Sequence, residues 1–512
     1  MSASVVELTN SGASFADVLG VARGHATVEL SNDAIASILA SRQRIDDMVE
    51  RGEPVYGVTT GFGALAHTLI PAEKRAELQR SLLLSHAAGM GAPVEREVVR
   101  AMMFLRARTL CRGYSGVSLG VVEQIVALLN ADVFPVVPEY GSLGASGDLA
   151  PLAHAATVLI GEGLAHTAQG TEPGADALRR IGRDPVELGA KDGLALINGT
   201  DGILGMLVMA ITDIEMLLKT GEIAAAMTVE GLLGTTRPFA RELQVLRPQV
   251  GQSDSAANLM TLLADSPIVA SHRHNDPRVQ DAYSVRCTPQ VMGAARDTLA
   301  FARTTAEREL LSAIDNPVVL DDGRIESCGN FHGAPLGYAC DFLAIALADV
   351  SALAERRLDR MLDVTRSEGL PAFLAPDAGV NSGLMIAHYT AAAIVAVNRR
   401  LAVPASADTL PTSASQEDHV SMGWAAARKL RTVIGNLARV IAIELVAAAH
   451  AIDFRRPIQP AAATARAVDL IRDHVAEAGP DRFLAPDLAA VEQLVLSGAI
   501  LDAAEGVTGP LR

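Results

Sequence analysis

Gly141-Ser-Leu-Gly-Ala-Ser-Gly-Asp-Leu-Ala-Pro-Leu-Ala-His154 is the stretch on which the reading of this chain turns. Its centre, Ala145-Ser146-Gly147, is a tripeptide that can cyclise. If the amide nitrogen of Gly147 attacks the Ala145 carbonyl and two waters leave, the Ser146 side chain becomes a methylidene on an imidazolone ring. Gly147 has no Cβ to obstruct that tight approach, Ser146 supplies the departing hydroxyl, and Ala145 is small enough to stay clear. Three small residues alone ordinarily mark a turn. The frame is the specific part: flanking glycines, an immediate Asp148, and Pro151 opening an Ala-rich helical run that suits proline in its first turn.

Residues 135–147 form one of three Gly/Pro/Thr-rich stretches, with 52–63 and 161–193, that separate shorter helical patterns in the N-terminal part. Such loops are where chemistry concentrates. Beyond them the texture changes. Leu343, Leu347, Val350, Ala354, Leu358 and Met361 step by three or four, while Glu355, Arg356, Asp359 and Arg360 fall elsewhere, which predicts an amphipathic helix. Residues 384–401, closing before Pro404, and 421–452, closing before Arg455-Arg456-Pro457, predict two more long helices joined by links at 365–383 and 403–416. Three long helices in succession predict a bundle. The stretch 440–451 is apolar on most sides, so burial on several faces is expected, including against other subunits. A boundary near 205 divides the chain into 1–205, with the Tyr56 and Ala-Ser-Gly loops, and 206–512, with the long helices and C-terminal part.

Composition narrows the function. With 49% hydrophobic and 4% aromatic residues the chain favours close-packed helices over an aromatic-rich β protein. A net charge of −16 disfavours nucleic acid or an anionic membrane as partner. The four cysteines, Cys111, Cys287, Cys328 and Cys340, form no CxxC pair and no zinc-like spacing with histidine, so no metal site is expected and a reduced compartment is the simplest reading. The N-terminus lacks a basic region followed by an apolar core, and the apolar run 440–452 is interrupted by Glu444 and too short to span a bilayer. A cytoplasmic protein is expected. HExxH and GxxxxGK[ST] are missing, which disfavours a zinc hydrolase or a nucleotide-binding protein.

The Ala145-Ser146-Gly147 frame resembles the signature of the aromatic amino acid lyases, and Tyr56-Gly-Val-Thr-Thr-Gly-Phe-Gly63 is similar to the same family's tyrosine loop. Within it, Leu84-Ser85-His86-Ala87 and Ser415-Gln416-Glu417-Asp418-His419-Val420 resemble the branch acting on histidine rather than on phenylalanine or tyrosine. The resemblance covers nearly the whole chain. It implies a mainly α fold, a large helical bundle with a smaller loop-rich N-terminal part, in a homotetramer whose active sites draw residues from more than one subunit. It also implies elimination of ammonia from L-histidine to give trans-urocanate, through a 4-methylidene-imidazol-5-one made autocatalytically from Ala145-Ser146-Gly147 and with no dissociable cofactor.

That elimination removes a scarcely acidic β-hydrogen, so it needs an electrophile for the amine and a positioned base for the proton. By resemblance the base is Tyr56, whose phenol must lose its proton more easily than an ordinary tyrosine to serve at neutral pH. In Gln280-Asp-Ala-Tyr-Ser-Val-Arg-Cys287, resemblance assigns the substrate carboxylate to Arg286, whose fork fits it bidentately, and places Tyr283 near the methylidene. Asn198, otherwise a turn residue before Gly199, is assigned to the prosthetic group and the amino-acid end of the substrate. Phe331, otherwise core, is assigned to water exclusion beside the electrophile. His86 and Glu417 are assigned to the imidazole, whose ring nitrogens need polar partners that a phenyl would leave unpaired at about 1–3 kcal/mol each.

Three residues depart from the family pattern: Asp201 and Thr288 where glutamine is usual, and Ala282 where proline is frequent. They adjoin Asn198, Tyr283 and Arg286, and so bear on rate and substrate preference rather than reaction type. The alternatives are a phenylalanine or tyrosine lyase or aminomutase of the same family and, more remotely, a catalytically silent helical scaffold.

Overall fold

The computed structural model describes residues 4–52, 55–65, 67–274 and 276–512. The chain forms two compact units, neither of them a single segment. The first comprises Met1–Met209, Ala302–Asp341 and Pro404–Arg428, and the second Ala210–Phe301, Phe342–Val403 and Lys429–Arg512. The division falls inside four long helices, Asp201–Gly231, Thr288–Leu310, Ala334–Leu362 and Gly423–Asp453.

All strands among the described residues belong to the first unit, in four small sheets. Val5–Leu8 pairs in parallel with Thr27–Leu30, Met90–Pro93 antiparallel with Pro138–Tyr140, and Val318–Val319 antiparallel with Ile325–Glu326. Phe134–Pro135, Leu164–Thr167 and Gly170–Pro173 make the fourth, antiparallel throughout. The hairpin at 164–173 lies inside a stretch whose glycines and prolines suggest only turns, since two four-residue strands are too short to establish an alternating pattern.

The long helices follow their apolar stripes. In Ala334–Leu362 all six periodic positions, Leu343, Leu347, Val350, Ala354, Leu358 and Met361, are buried. Met385–Leu401 and Gly423–Asp453 match the expected helices to within two residues at each end. Ala354, Val395 and Val440, one from each helix, share a core cluster in the second unit. From Val440 to Ile452 every residue is buried within the single chain, so no neighbouring subunit is required to cover that stretch. By length and composition Ala334–Leu362 and Gly423–Asp453 could cross a membrane, but 61% and 83% of their most apolar windows are buried inside the protein.

Glu355, which falls off the apolar stripe, and Glu444, which interrupts an apolar run, are both interior. Glu355 is buried and bonds the His388 ring at 2.7 Å and Arg356. Glu444 is fully buried and takes both ends of the Arg357 fork, at 2.5 and 2.8 Å, with Thr228 Oγ1 donating to it at 2.9 Å. Removing one partner strands the other charge in the interior. Arg357→Met is therefore expected to lower stability by about 3–5 kcal/mol, read by denaturant unfolding.

Candidate active site

In the first unit the Ala145-Ser146-Gly147 loop is held in a conformation that side chains seldom adopt. Ser146 has φ 53°, in the left-handed region, between Gly144 at 79° and Gly147 at 78°. The Gly147 nitrogen points back at the Gly144 carbonyl, 3.4 Å away. Across the loop lies the Gly199 peptide, whose N–H donates to Ser146 O at 3.3 Å and whose carbonyl accepts the Asp148 N–H at 2.7 Å. A Cβ on Gly147 would stand 2.0 Å from that carbonyl oxygen, so only glycine fits beneath the clamp. Gly147→Ala is expected to force the clamp open, leaving a chain of intact mass equal to the plain sequence and a lowered melting temperature.

Ser146 Oγ donates to Asn198 Oδ1 at 2.5 Å. Asn198 is itself anchored: its Nδ2 donates to Asn316 O at 2.9 Å, and its carbonyl accepts from the buried Arg106. Asp201, one of the departures from the family pattern, is buried 3.3 Å from Arg106 and so balances that guanidinium. Asp148 is also fully buried and accepts the N–H groups of Gly202 at 2.9 Å and Ile203 at 3.0 Å, capping the N-terminus of Asp201–Gly231. Burial pushes its carboxyl up to about 7, although the two backbone donors pull the other way.

Tyr56, His86 and Glu417 form a second group in the same unit. The Tyr56 hydroxyl accepts the Gly63 N–H at 3.0 Å, and its ring meets Phe62 edge-on at 6.3 Å. A Cβ on Gly63 would lie 2.7 Å from Ser413 Oγ and 3.4 Å from Glu417 Oε1, so the tyrosine loop closes directly onto the Glu417 turn. Burial raises the Tyr56 phenol above 10, the Gly63 N–H opposes that, and the Glu417 carboxylate adds to it. The direction is opposite to the one expected of a ready phenolate, because desolvation outweighs one backbone donor. His86 ends the helix Arg75–His86 with Nδ1 3.1 Å from Ser85 Oγ. Burial holds its pKa below 6.5 against the pull of the Leu82 carbonyl and Glu417, so the imidazole is neutral at neutral pH. Glu417 Oε2 is buried without a hydrogen-bond partner. An acceptor in that state is costly unless a donor fills it.

Phe331 is half-buried in the turn before Ala334–Leu362. Ser421 connects that turn to the Ala-Ser-Gly loop: a Cβ on Gly333 would meet Ser421 Oγ at 3.1 Å, and one on Gly144 would meet it at 2.0 Å. Tyr283 and Arg286 belong to the second unit, on the short helix Tyr283–Arg286. There the Arg286 guanidinium lies 4.4 Å over the Tyr283 ring and donates to Asp281 O at 2.9 Å, and Tyr283 is 71% exposed. Ala282 and Thr288 serve this helix structurally: the Ala282 carbonyl accepts from Val285 and Arg286, and Thr288 Oγ1 donates to Ser284 O at 3.1 Å.

Gln79 is a residue that sequence reasoning passes over. It is fully buried, donates to Gly57 O at 3.0 Å and accepts from Leu194 N at 3.0 Å. It thereby ties the tyrosine loop to the helix Asp192–Ile197 that leads into Asn198. A glutamine within a helical pattern carries no signal of that kind. Among the described residues no cluster of three or more His, Cys, Asp or Glu side chains is arranged to hold a metal.

Comparison with known proteins bears on this constellation. The family described as aromatic amino acid lyase matches residues 13–473. A histidine ammonia-lyase of Streptomyces avermitilis is 59% identical over 508 residues, covering 99% of both chains. Among solved structures, the histidine ammonia-lyase of Trypanosoma cruzi superposes with a TM-score of 0.90 at 37% identity, over 99% of this chain and 96% of that one. The tyrosine aminomutase of Streptomyces globisporus gives 0.94 at 36% identity, over 99% and 100%.

Proposed function

This chain belongs to the aromatic amino acid lyase family, and from that premise we propose that it eliminates ammonia from L-histidine to give trans-urocanate. It is a carbon–nitrogen lyase. The observation that carries the choice of substrate is the unpaired, buried Glu417 Oε2 beside a neutral His86. A ring with an N–H satisfies that oxygen, whereas a phenyl or phenol ring placed there leaves it stranded.

Ala145, Ser146 and Gly147 are the residues that would make and hold the 4-methylidene-imidazol-5-one, and the group supplies an electrophile that helps the amine depart. Their fit rests on the left-handed Ser146, the glycine-only position at 147, and a serine hydroxyl held by one acceptor. Tyr56 takes the β-proton, Asn198 holds the amino-acid end, and Phe331 keeps water away. Arg286 binds the carboxylate, with Tyr283 beside it. In a homotetramer with shared sites these two come from a neighbouring subunit, a reading supported by the exposure of Tyr283 in the single chain. None of the four cysteines, all among the described residues, is in a disulfide, in keeping with a cytoplasmic enzyme.

Product identification with purified protein tests the substrate: urocanate is expected, and cinnamate, coumarate or a β-amino acid in its place overturns the assignment. The pH profile tests the base. Only the phenolate of Tyr56 accepts a proton and its pKa lies above 10, so kcat/KM is expected to rise with pH through the neutral range and up to about 10. An acid-side fall set by His86 is expected below 6.5. Tyr56→Phe is expected to remove the alkaline rise and about 10²- to 10⁴-fold of the rate.

A further inference from the structure

We infer that the buried pair Lys191–Asp315 is a positioning device for ring closure, aiming the Asn198 amide at Ser146 through a continuous chain of hydrogen bonds. The inference rests on the proposal that Ala145-Ser146-Gly147 cyclises. The chain runs through four contacts of the first unit. Lys191 Nζ donates to Asp315 Oδ2 at 2.6 Å, and Asn316 N donates to Asp315 Oδ1 at 2.7 Å. Asn198 Nδ2 donates to Asn316 O at 2.9 Å, and Ser146 Oγ donates to Asn198 Oδ1 at 2.5 Å. The last two contacts are coupled. An amide has one donor end and one acceptor end, so holding Nδ2 on Asn316 O leaves only Oδ1 to face the serine.

The direction of the Asn316 carbonyl therefore decides what Ser146 meets. Asp315 sets that direction by gripping the Asn316 N–H, and Cys328 N holds the Asn316 side chain by donating to its Oδ1 at 2.9 Å. Asp315 is only 1% exposed and Lys191 0%, so the two groups meet each other in the interior, away from solvent. An apolar pair of similar volume would stabilise the fold as well without burying two charges, so the pair is better explained by the geometry it enforces. Lys191 also has φ 69°, a strained conformation for a residue with a side chain, and such strain persists where surrounding structure over-determines it.

Ring closure needs this alignment. The Gly147 nitrogen bonds the Ala145 carbonyl carbon, whose oxygen leaves as water with the amide hydrogens of Gly147 and Ser146. The Ser146 hydroxyl then leaves as the second water with the hydrogen from its Cα, and no oxidant is required. The second loss depends on how the Cα–H and Cβ–O bonds are disposed, and the bond to Asn198 Oδ1 fixes the rotamer of the serine.

The test is a time course of intact mass for freshly synthesised full-length protein, with the unfolding midpoint measured alongside. Asp315→Asn keeps the shape but has one acceptor oxygen where the native residue uses two. Lys191→Met with Asp315→Leu replaces both charges by apolar groups and keeps the fold stable. In each, loss of the two waters is expected to be slowed by about tenfold relative to the parent, whatever the midpoint does. Loss at the parental rate in either soluble variant overturns the inference. Should the parent itself never lose two waters, the cyclisation proposal fails instead, so the two failures are distinct.

Discussion

Ser146→Ala is expected to give a folded chain that keeps the full mass of its sequence and turns over histidine at less than about a thousandth of the parental rate. The fold should survive because Ser146 Oγ has a single side-chain partner, Asn198 Oδ1, and losing it leaves one acceptor short at about 1–3 kcal/mol. Alanine tolerates φ 53° no worse than serine does. What disappears is the only hydroxyl able to depart from the tripeptide proposed to cyclise. Water loss and turnover must therefore disappear together: parental turnover by a variant that retains both waters would show that the elimination does not need the ring.

The second large effect is expected at the imidazole site. Glu417→Gln should lower kcat/KM for histidine by about a hundredfold, and His86→Leu by a comparable factor, while both variants still lose two waters on maturation. The Glu417 carboxylate offers a buried oxygen with no partner of its own, and the neutral glutamine amide is a weaker acceptor and can turn its NH₂ group toward the substrate. A second readout separates this from a loss of packing. The carboxylate raises the pKa of Tyr56, so its removal lowers that pKa and should move the alkaline rise of kcat/KM to lower pH. Unchanged histidine kinetics in both variants would remove these residues from imidazole recognition.

Helix was legible wherever the pattern was long. The proline-marked ends at 401 and 452 located two helices to within two residues, and the apolar steps from Leu343 to Met361 located a third whose first turns, from Ala334, lie ahead of the stripe, because helical periodicity is a local property. At the site, the residues proposed to carry chemistry were legible as motifs, and the groups that hold them were not. Gln79 reaches Gly57 and Leu194 across the unit, Lys191 meets Asp315 from 124 positions away, and Arg106 meets Asn198 from 92. Polar residues inside helical or loop patterns look solvated until their partners are known.

The tripeptide proposed to cyclise, the glycine positions that permit its backbone, and the mainly helical class can be read from residue order alone, since each depends on neighbours a few positions apart. The surroundings of the site's groups and the supports that hold them come only with packing. Whether Tyr56 holds its proton tightly, whether Glu355 and Glu444 are dry, and which end of Asn198 faces Ser146 all depend on solvent removed and dipoles brought up by distant segments. Those are properties of packing, and packing has no local signature.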